Sequence, residues 1–260
     1  MIPHQPLSFL PKEIHQLYEV HNYRNAIQIL TTECHKDFSE ILESLLEFRL
    51  TLDDIRRPGG NESDIPKRIS SLLRDKGWQE TRIKGDLLIT KICGGSGRKK
   101  TAEESETETL REIKILANSG NKVEKIIREN FLDGHKIDYV KNRVAFDVEW
   151  NSKDQTFDRD LYAFRAFHEC DLIDAAIILT RGESLNKVFE HLGTEKDDKG
   201  NAKVDRKGNL KLIKAKYGAS TTWIGKLLYR LRAGRHGECP VLALGITPKL
   251  ITDWKEENEQ

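Results

Sequence analysis

A chain of 260 residues is long enough to bury a substantial core, and falls between one large domain and two small ones. With 37% hydrophobic and 33% charged residues it reads as a folded protein with a polar surface, not a disordered chain. Its 43 Lys plus Arg against 42 Asp plus Glu exclude overall basicity as a source of nucleic-acid affinity, so any such surface must come from local segregation of charge.

No apolar run reaches the twenty or so residues that span a bilayer, and the N-terminal stretch lacks a basic segment followed by a long apolar one. A cytoplasmic protein with no membrane partner is expected. Cys34, Cys93, Cys170 and Cys239 are far apart and form no CxxC pair, which argues against a zinc knuckle or a disulfide framework and predicts reduced, buried thiols.

Along residues 11–52 the apolar positions, among them Ile14, Leu17, Ile27, Leu30, Phe38, Ile41 and Leu45, recur at helical spacing and predict two or three amphipathic helices. The run Arg56-Arg57-Pro58-Gly59-Gly60-Asn61-Glu62-Ser63 breaks that period and feeds a helix near Pro66, capped by Ser63 or Asp64. Residues 78–92 suggest one or two strands. A glycine-rich, then basic, then acidic stretch follows at 93–108 and reads as an exposed insert. Residues 110–131 look helical. Two strands, 137–140 and 144–150, read as a hairpin turning at Lys141-Asn142-Arg143.

A helix at 158–170 and a buried strand at 172–179 come next. A second polar insert, 193–216, has two Lys-Gly turn signals and predicts an exposed hairpin. Its Asp197-Asp198-Lys199-Gly200-Asn201 turn lacks the spaced acids and closing Glu of a calcium loop. A helix at 221–232 and a strand at 240–246 end the pattern. The fold class implied is α/β, a mixed sheet flanked by helices, with a helical region at 1–55 leading into a core at 56–260.

Within 144–151 side chains alternate, so Val144, Phe146, Val148 and Trp150 face one side while Ala145, Asp147, Glu149 and Asn151 face the other. Asp138 lies on the preceding strand, where antiparallel pairing can bring it near Glu149; Asp147 is the alternative partner. Two facing carboxylates repel unless a hard divalent cation lies between them, and magnesium prefers carboxylate oxygens, water and phosphate. Such a site hydrolyses phosphodiesters, because the cation activates water and neutralises charge on the phosphate. Asn151 cannot act as a cation but can hydrogen-bond water or phosphate. Glu62 is a further candidate metal ligand, and His168 reads as structural.

The hairpin Ile137-Asp138-Tyr139 to Phe146-Asp147-Val148-Glu149-Trp150-Asn151, the segment LYAFRAFHECDLIDAAIILT and the blocks STTWIGKLL and GECPVLALGI occur in one order. In these the chain resembles the BglII/BstYI type II restriction endonucleases, which carry Asp, Glu and then Gln; the Pro58-Gly59-Gly60 loop extends the likeness upstream. Asn151 stands at the Gln position. The resemblance implies a restriction-endonuclease-like fold and a homodimer that cuts double-stranded DNA with Mg2+ at a short palindrome centred on GATC. Asp138, Glu149 and Asn151 are then the catalytic residues.

Arg56, Arg57, Lys67 and Arg68, at a helix entry, have the chemistry to meet phosphates. Ser220, Thr221, Thr222, Lys226, Arg232, Arg235 and His236 offer donors for phosphates and base edges. Two other readings stay open: a modification-dependent or repair nuclease, and a DNA-binding protein with a degenerate nuclease fold that no longer cuts.

Overall fold

The structure is a computed structural model that describes residues 9–57, 64–93, 122–197 and 199–255. The chain divides into two compact units, one formed by Met1–Arg82 with His135–Gln260 and the other by Ile83–Gly134. In chain order the elements are α1 (Lys12–Leu17), β1 (Tyr18–Tyr23), α2 (Ala26–Thr32), α3 (His35–Glu47), α4 (Leu52–Arg56), α5 (Asp64–Arg74), β2 (Gln79–Cys93), β3 (Lys122–Lys141) and β4 (Val144–Glu149). After them come α6 (Thr156–Glu169), β5 (Ala175–Arg181), α7 (Asn186–His191), α8 (Ile213–Lys216), α9 (Ile224–Arg232) and β6 (Val241–Ile246).

The strands form a mixed sheet in the order β1-β6-β5-β4-β3-β2. β4, β5 and β6 run parallel to one another, while β1 joins β6, and β3 joins β4, antiparallel. Every residue of the three central strands is buried. That burial explains their near-continuous apolar sequences, since both faces of a parallel core are covered.

On one face Val144, Phe146 and Val148 join Ile177, Leu179 and Leu244 in a cluster with Ile14, Leu30, Phe38 and Leu45 from the N-terminal helices. The other face carries Ala145, Ile178 and Ala243, buried apart from that cluster together with Phe157, Leu161 and Phe164 of α6 and Leu227 and Leu231 of α9. Helix α6 packs on β4, α9 on β6, and the two helices on each other. The mixed sheet flanked by helices is the architecture the sequence implied.

The unit Ile83–Gly134 consists, in its described part, of residues of β2 and β3. Lys84 pairs with Asp133 at 3.6 Å and Lys91 with Glu124 at 3.7 Å, and the Asn130 amide donates to Asp86 Oδ1 at 2.8 Å. The helix expected at 110–131 is therefore corrected: residues 122–131 are strand, and the remainder lies outside the described residues. Ile126 and Ile127 are β-branched, and Asn130 has φ of 53°, a left-handed conformation a helix interior does not hold. Most of the 93–108 insert also lies outside the described residues.

The N-terminal stretch departs from an all-helical reading as well. Tyr18–Tyr23 pairs residue for residue with β6, closing one edge of the sheet. The expected hairpin at 193–216 is a pair of turns of one design. Bridges Lys196↔Ala202 and Val204↔Leu210 close over Asp197 and Asp205. Each carboxylate accepts the amides two and four residues on, at 2.7–2.9 Å, with Gly200 and Gly208 at positive φ. All four cysteines are free thiols; Cys34 and Cys239 are buried, but Cys93 and Cys170 are exposed, against expectation. No helix among the described residues is long and apolar enough to cross a membrane.

Candidate active site

The hairpin turn is pinned to α3. Asn142, at φ of 48°, donates to both Asp37 carboxylate oxygens at 2.9 and 3.1 Å, and Lys141 binds Glu40 at 2.6 Å. With the turn fixed, register follows: Lys141 pairs with Val144, Val140 with Ala145 and Tyr139 with Phe146. One more step brings Asp138 opposite Asp147 rather than Glu149, and the Asp138 and Asp147 carboxyl groups share a hydrogen bond.

Asp147 and Glu149 are 3% and 6% exposed, on the same side of β4. Across from them α6 contributes Asp160, 1% exposed. Burial drives the Asp147 carboxyl well above its ordinary pKa, and the nearby charges of Asp160, Asp138 and Glu149 add to the shift. Burial likewise raises Glu149, opposed by hydrogen bonds from Ser152 and Thr156 and by the charge of Arg159. Asp160 is pushed up to about 8, first by burial and then by the charge of Glu149. The Arg159 guanidinium meets Asp160 Oδ1 through Nη2 at 2.9 Å and Nε at 3.1 Å, and Glu149 Oε1 through Nη2 at 3.5 Å.

Beyond Glu149 the strand ends. Its carbonyl accepts from Thr180 Oγ1 at 2.7 Å, and the next carbonyl, of Trp150, accepts from Arg181 Nε at 2.8 Å. Arg181 is 1% exposed, also donates to Thr221 Oγ1 at 2.6 Å, and lies 5.0 Å from the Tyr217 ring centroid and 5.5 Å from that of Phe189. Asn151 falls in a bend, where alternation no longer sets its direction, and its buried Oδ1 has no hydrogen-bond partner.

Glu149 Oε2 and Asp160 Oδ2 are also buried without a hydrogen-bond partner. Unsatisfied carboxylate oxygens inside a protein are costly, and a hard divalent cation relieves that cost. The buried oxygens of Glu149 and Asp160 therefore fit such a cation, with Asp147 buried beside Glu149 on β4. No three His, Cys, Asp or Glu side chains among the described residues are gathered closely enough to cage a metal alone. Magnesium keeps several waters and takes one or two carboxylates plus phosphate, so an open half-site suits it. Glu62 and the Pro58-Gly59-Gly60 loop lie outside the described residues.

The candidate DNA contacts are largely engaged with acids. Arg57 pairs with Asp53 at 2.8 Å and Asp64 at 3.4 Å, Lys67 with Asp64 at 3.8 Å, and Arg68 with Asp54 at 2.5 Å. Arg56 has its Nε buried without a partner. Asp53, Arg56, Arg57, Asp64, Lys196, Asp197 and Gly200 line a 480 Å³ cleft that includes none of the reaction-centre acids. At the second cluster Lys226 lies 3.6 Å from Asp154 and Arg235 3.5 Å from Asp158. Ser220 and Arg232 are exposed, while Thr222 is fully buried and His236 is 4% exposed, its Nδ1 2.8 Å from the Cys239 carbonyl. His168, read as structural, has its Nδ1 2.9 Å from the Ile173 carbonyl.

Arg159 and Asp160 were missed in the sequence although one signal was legible. Phe157, Leu161 and Phe164 form the apolar stripe of α6, and Asp160 falls on that stripe, an acid where the helix is otherwise buried. No curated protein matches the chain. The family model described as restriction endonuclease BglII/BglIII matches residues 18–246, from the first residue of β1 to the last of β6. The chain belongs to the BglII/BglIII restriction endonuclease family and is a sequence-specific DNA endonuclease of that type.

Proposed function

We propose that the chain is a magnesium-dependent type II restriction endonuclease that acts as a homodimer, with Asp138, Asp147 and Glu149 as its metal carboxylates. The observation that carries this reading is the buried group of Asp147, Glu149 and Asp160, with oxygens left unsatisfied beside the half-exposed Asp138. A divalent cation bound there supplies an activated water and neutralises charge on the scissile phosphate. The chain's own groups do the rest. Glu149 accepts a proton from the attacking water, and Arg159, 3.5 Å from Glu149 Oε1, faces its carboxylate. Asn151 is left a secondary role, hydrogen-bonding water or phosphate through its amide. Glu62, which precedes α5 in the sequence, is retained as the proposed fourth oxygen donor.

A palindrome is two-fold symmetric, and a two-fold homodimer presents one such centre to each strand, which supports a homodimer. A palindrome centred on GATC is the recognition site carried over from the sequence resemblance. Incubating the protein with unmethylated plasmid and Mg2+ should give discrete fragments whose sequenced ends share one palindrome. Smearing, or cutting only of methylated or damaged DNA, would overturn the reading; binding without cutting over a range of metals would favour a degenerate nuclease.

A further inference from the structure

We propose that Arg159 is a catalytic residue of this nuclease: its guanidinium supplies the positive charge of the reaction centre and contacts a non-bridging oxygen of the scissile phosphate. The proposal rests on the nuclease reading above. Among the described residues Arg159 is the cation in ion-pair contact with Glu149 and Asp160, at 3.5 and 2.9 Å. Asn151, two residues after Glu149, is an amide and brings no charge. Phosphoryl transfer is accelerated by a cationic side chain in addition to a metal, because charge is spread over the phosphate oxygens in the transition state.

Three features suit Arg159 to that task. Its side chain is 69% exposed although the acids it touches are buried, so the guanidinium lies at the boundary between the site and solvent, where a phosphate arrives. The contacts to Glu149 and Asp160 use Nε and Nη2, so Nη1 takes no part in them. Nη1 carries two N–H donors on a permanently charged group, which suits a phosphate oxygen. Arg159 is also the fourth residue of the 14-residue α6, so a regular element fixes its backbone beside Asp160. The competing cation, Lys136, is held by Glu80 at 2.7 Å and reaches Asp138 only at 4.0 Å.

The alternative is that Arg159 merely neutralises Asp160. The test is single-turnover cleavage of a duplex carrying the mapped site, with duplex affinity measured in Ca2+ and folding followed by Tm. Arg159→Ala should slow cleavage about 100-fold or more, within the range of a lost electrostatic donor, while duplex affinity changes less than tenfold. Arg159→Lys should recover at least tenfold of that loss. The double variant Arg159→Ala/Asp160→Asn, which removes the buried charge that Arg159 faces and keeps the test open if the single variant does not fold, should remain slow.

Wild-type rates in Arg159→Ala would overturn the proposal. So would restoration of the rate by the Asp160→Asn partner change, which would make Arg159 a counter-ion only. A loss found in Lys136→Ala and absent from Arg159→Ala would move the role to Lys136. A wild-type chain that cuts no DNA with any divalent metal removes the nuclease reading itself, and is distinguishable from all of these.

Discussion

In the proposed site Asp147 is a residue the chemistry needs and Asn151 one it tolerates losing. Asp147 is 3% exposed and hydrogen-bonded to Asp138, so its amide replacement keeps shape but removes an oxygen of the proposed metal site. Asp147→Asn should lower single-turnover cleavage by about 10³-fold, the scale of a removed catalytic group, and Glu149→Ala at least as much, with duplex binding in Ca2+ retained. Asn151→Ala should cost less than tenfold, because its Oδ1 holds no partner and its strand has already ended. An Asn151 loss as large as the Asp147 loss would restore the reading in which Asn151 is a catalytic residue. His236 belongs to a different class. Burial lowers its pKa, as does the charge of Arg24, against the Cys239 and Leu231 carbonyls and the charge of Glu238. A histidine whose folded pKa is depressed contributes stability that is complete above the unfolded value near 6.5 and is lost as pH falls through the folded one. The Tm gap between wild type and His236→Gln should therefore shrink from pH 7.5 to 5.5. DNA affinity of the variant should stay within about twofold, since a residue 4% exposed does not meet DNA.

At the scale of elements, the hairpin of β3 and β4 decides which carboxylates face one another, and its turn hangs on Asn142. The left-handed backbone costs Ala about 1–2 kcal/mol, and the bonds to Asp37 are lost besides. Urea unfolding should show Asn142→Ala destabilised by about 2 kcal/mol, and Asn142→Gly by less, because Gly keeps the conformation and loses only the bonds. This hairpin was legible in the sequence because alternation across 144–149 and a polar turn are local signals. The central strands were legible for the same reason, as short apolar runs. What was not legible depended on distant partners. Tyr18–Tyr23 carries apolar positions that also fit a helical period, and only pairing with β6 makes it a strand. Residues 122–131 become strand beside β2 in the same way. At the site, the register ends at Tyr139–Phe146, and one further step sets Asp138 opposite Asp147, two residues short of Glu149, a placement that spacing alone left open. Asp160 enters through the packing of α6 on β4; its place on the apolar stripe was a local signal, but the strand it packs on was not.

For the whole molecule, balanced charge has a structural counterpart: Arg57, Lys67, Arg68, Lys226 and Arg235 all lie against Asp residues. DNA binding by these groups must exchange protein ion pairs for phosphate contacts, so each such exchange yields less net affinity than a free cation would. In the proposed homodimer, specificity then depends on two chains gripping one palindrome together. Sedimentation should give about twice the 29.9 kDa chain mass. The stricter test joins both scales. If each chain's carboxylate group cuts one strand, a heterodimer of wild type with Glu149→Ala holds one working centre on a complete recognition surface. On supercoiled plasmid it should accumulate nicked circles at the palindrome, while the wild-type homodimer gives linear product. Linear product from the heterodimer would mean that one centre cuts both strands in turn, and no cutting would mean that the centres depend on each other; either result would replace the two-centre reading.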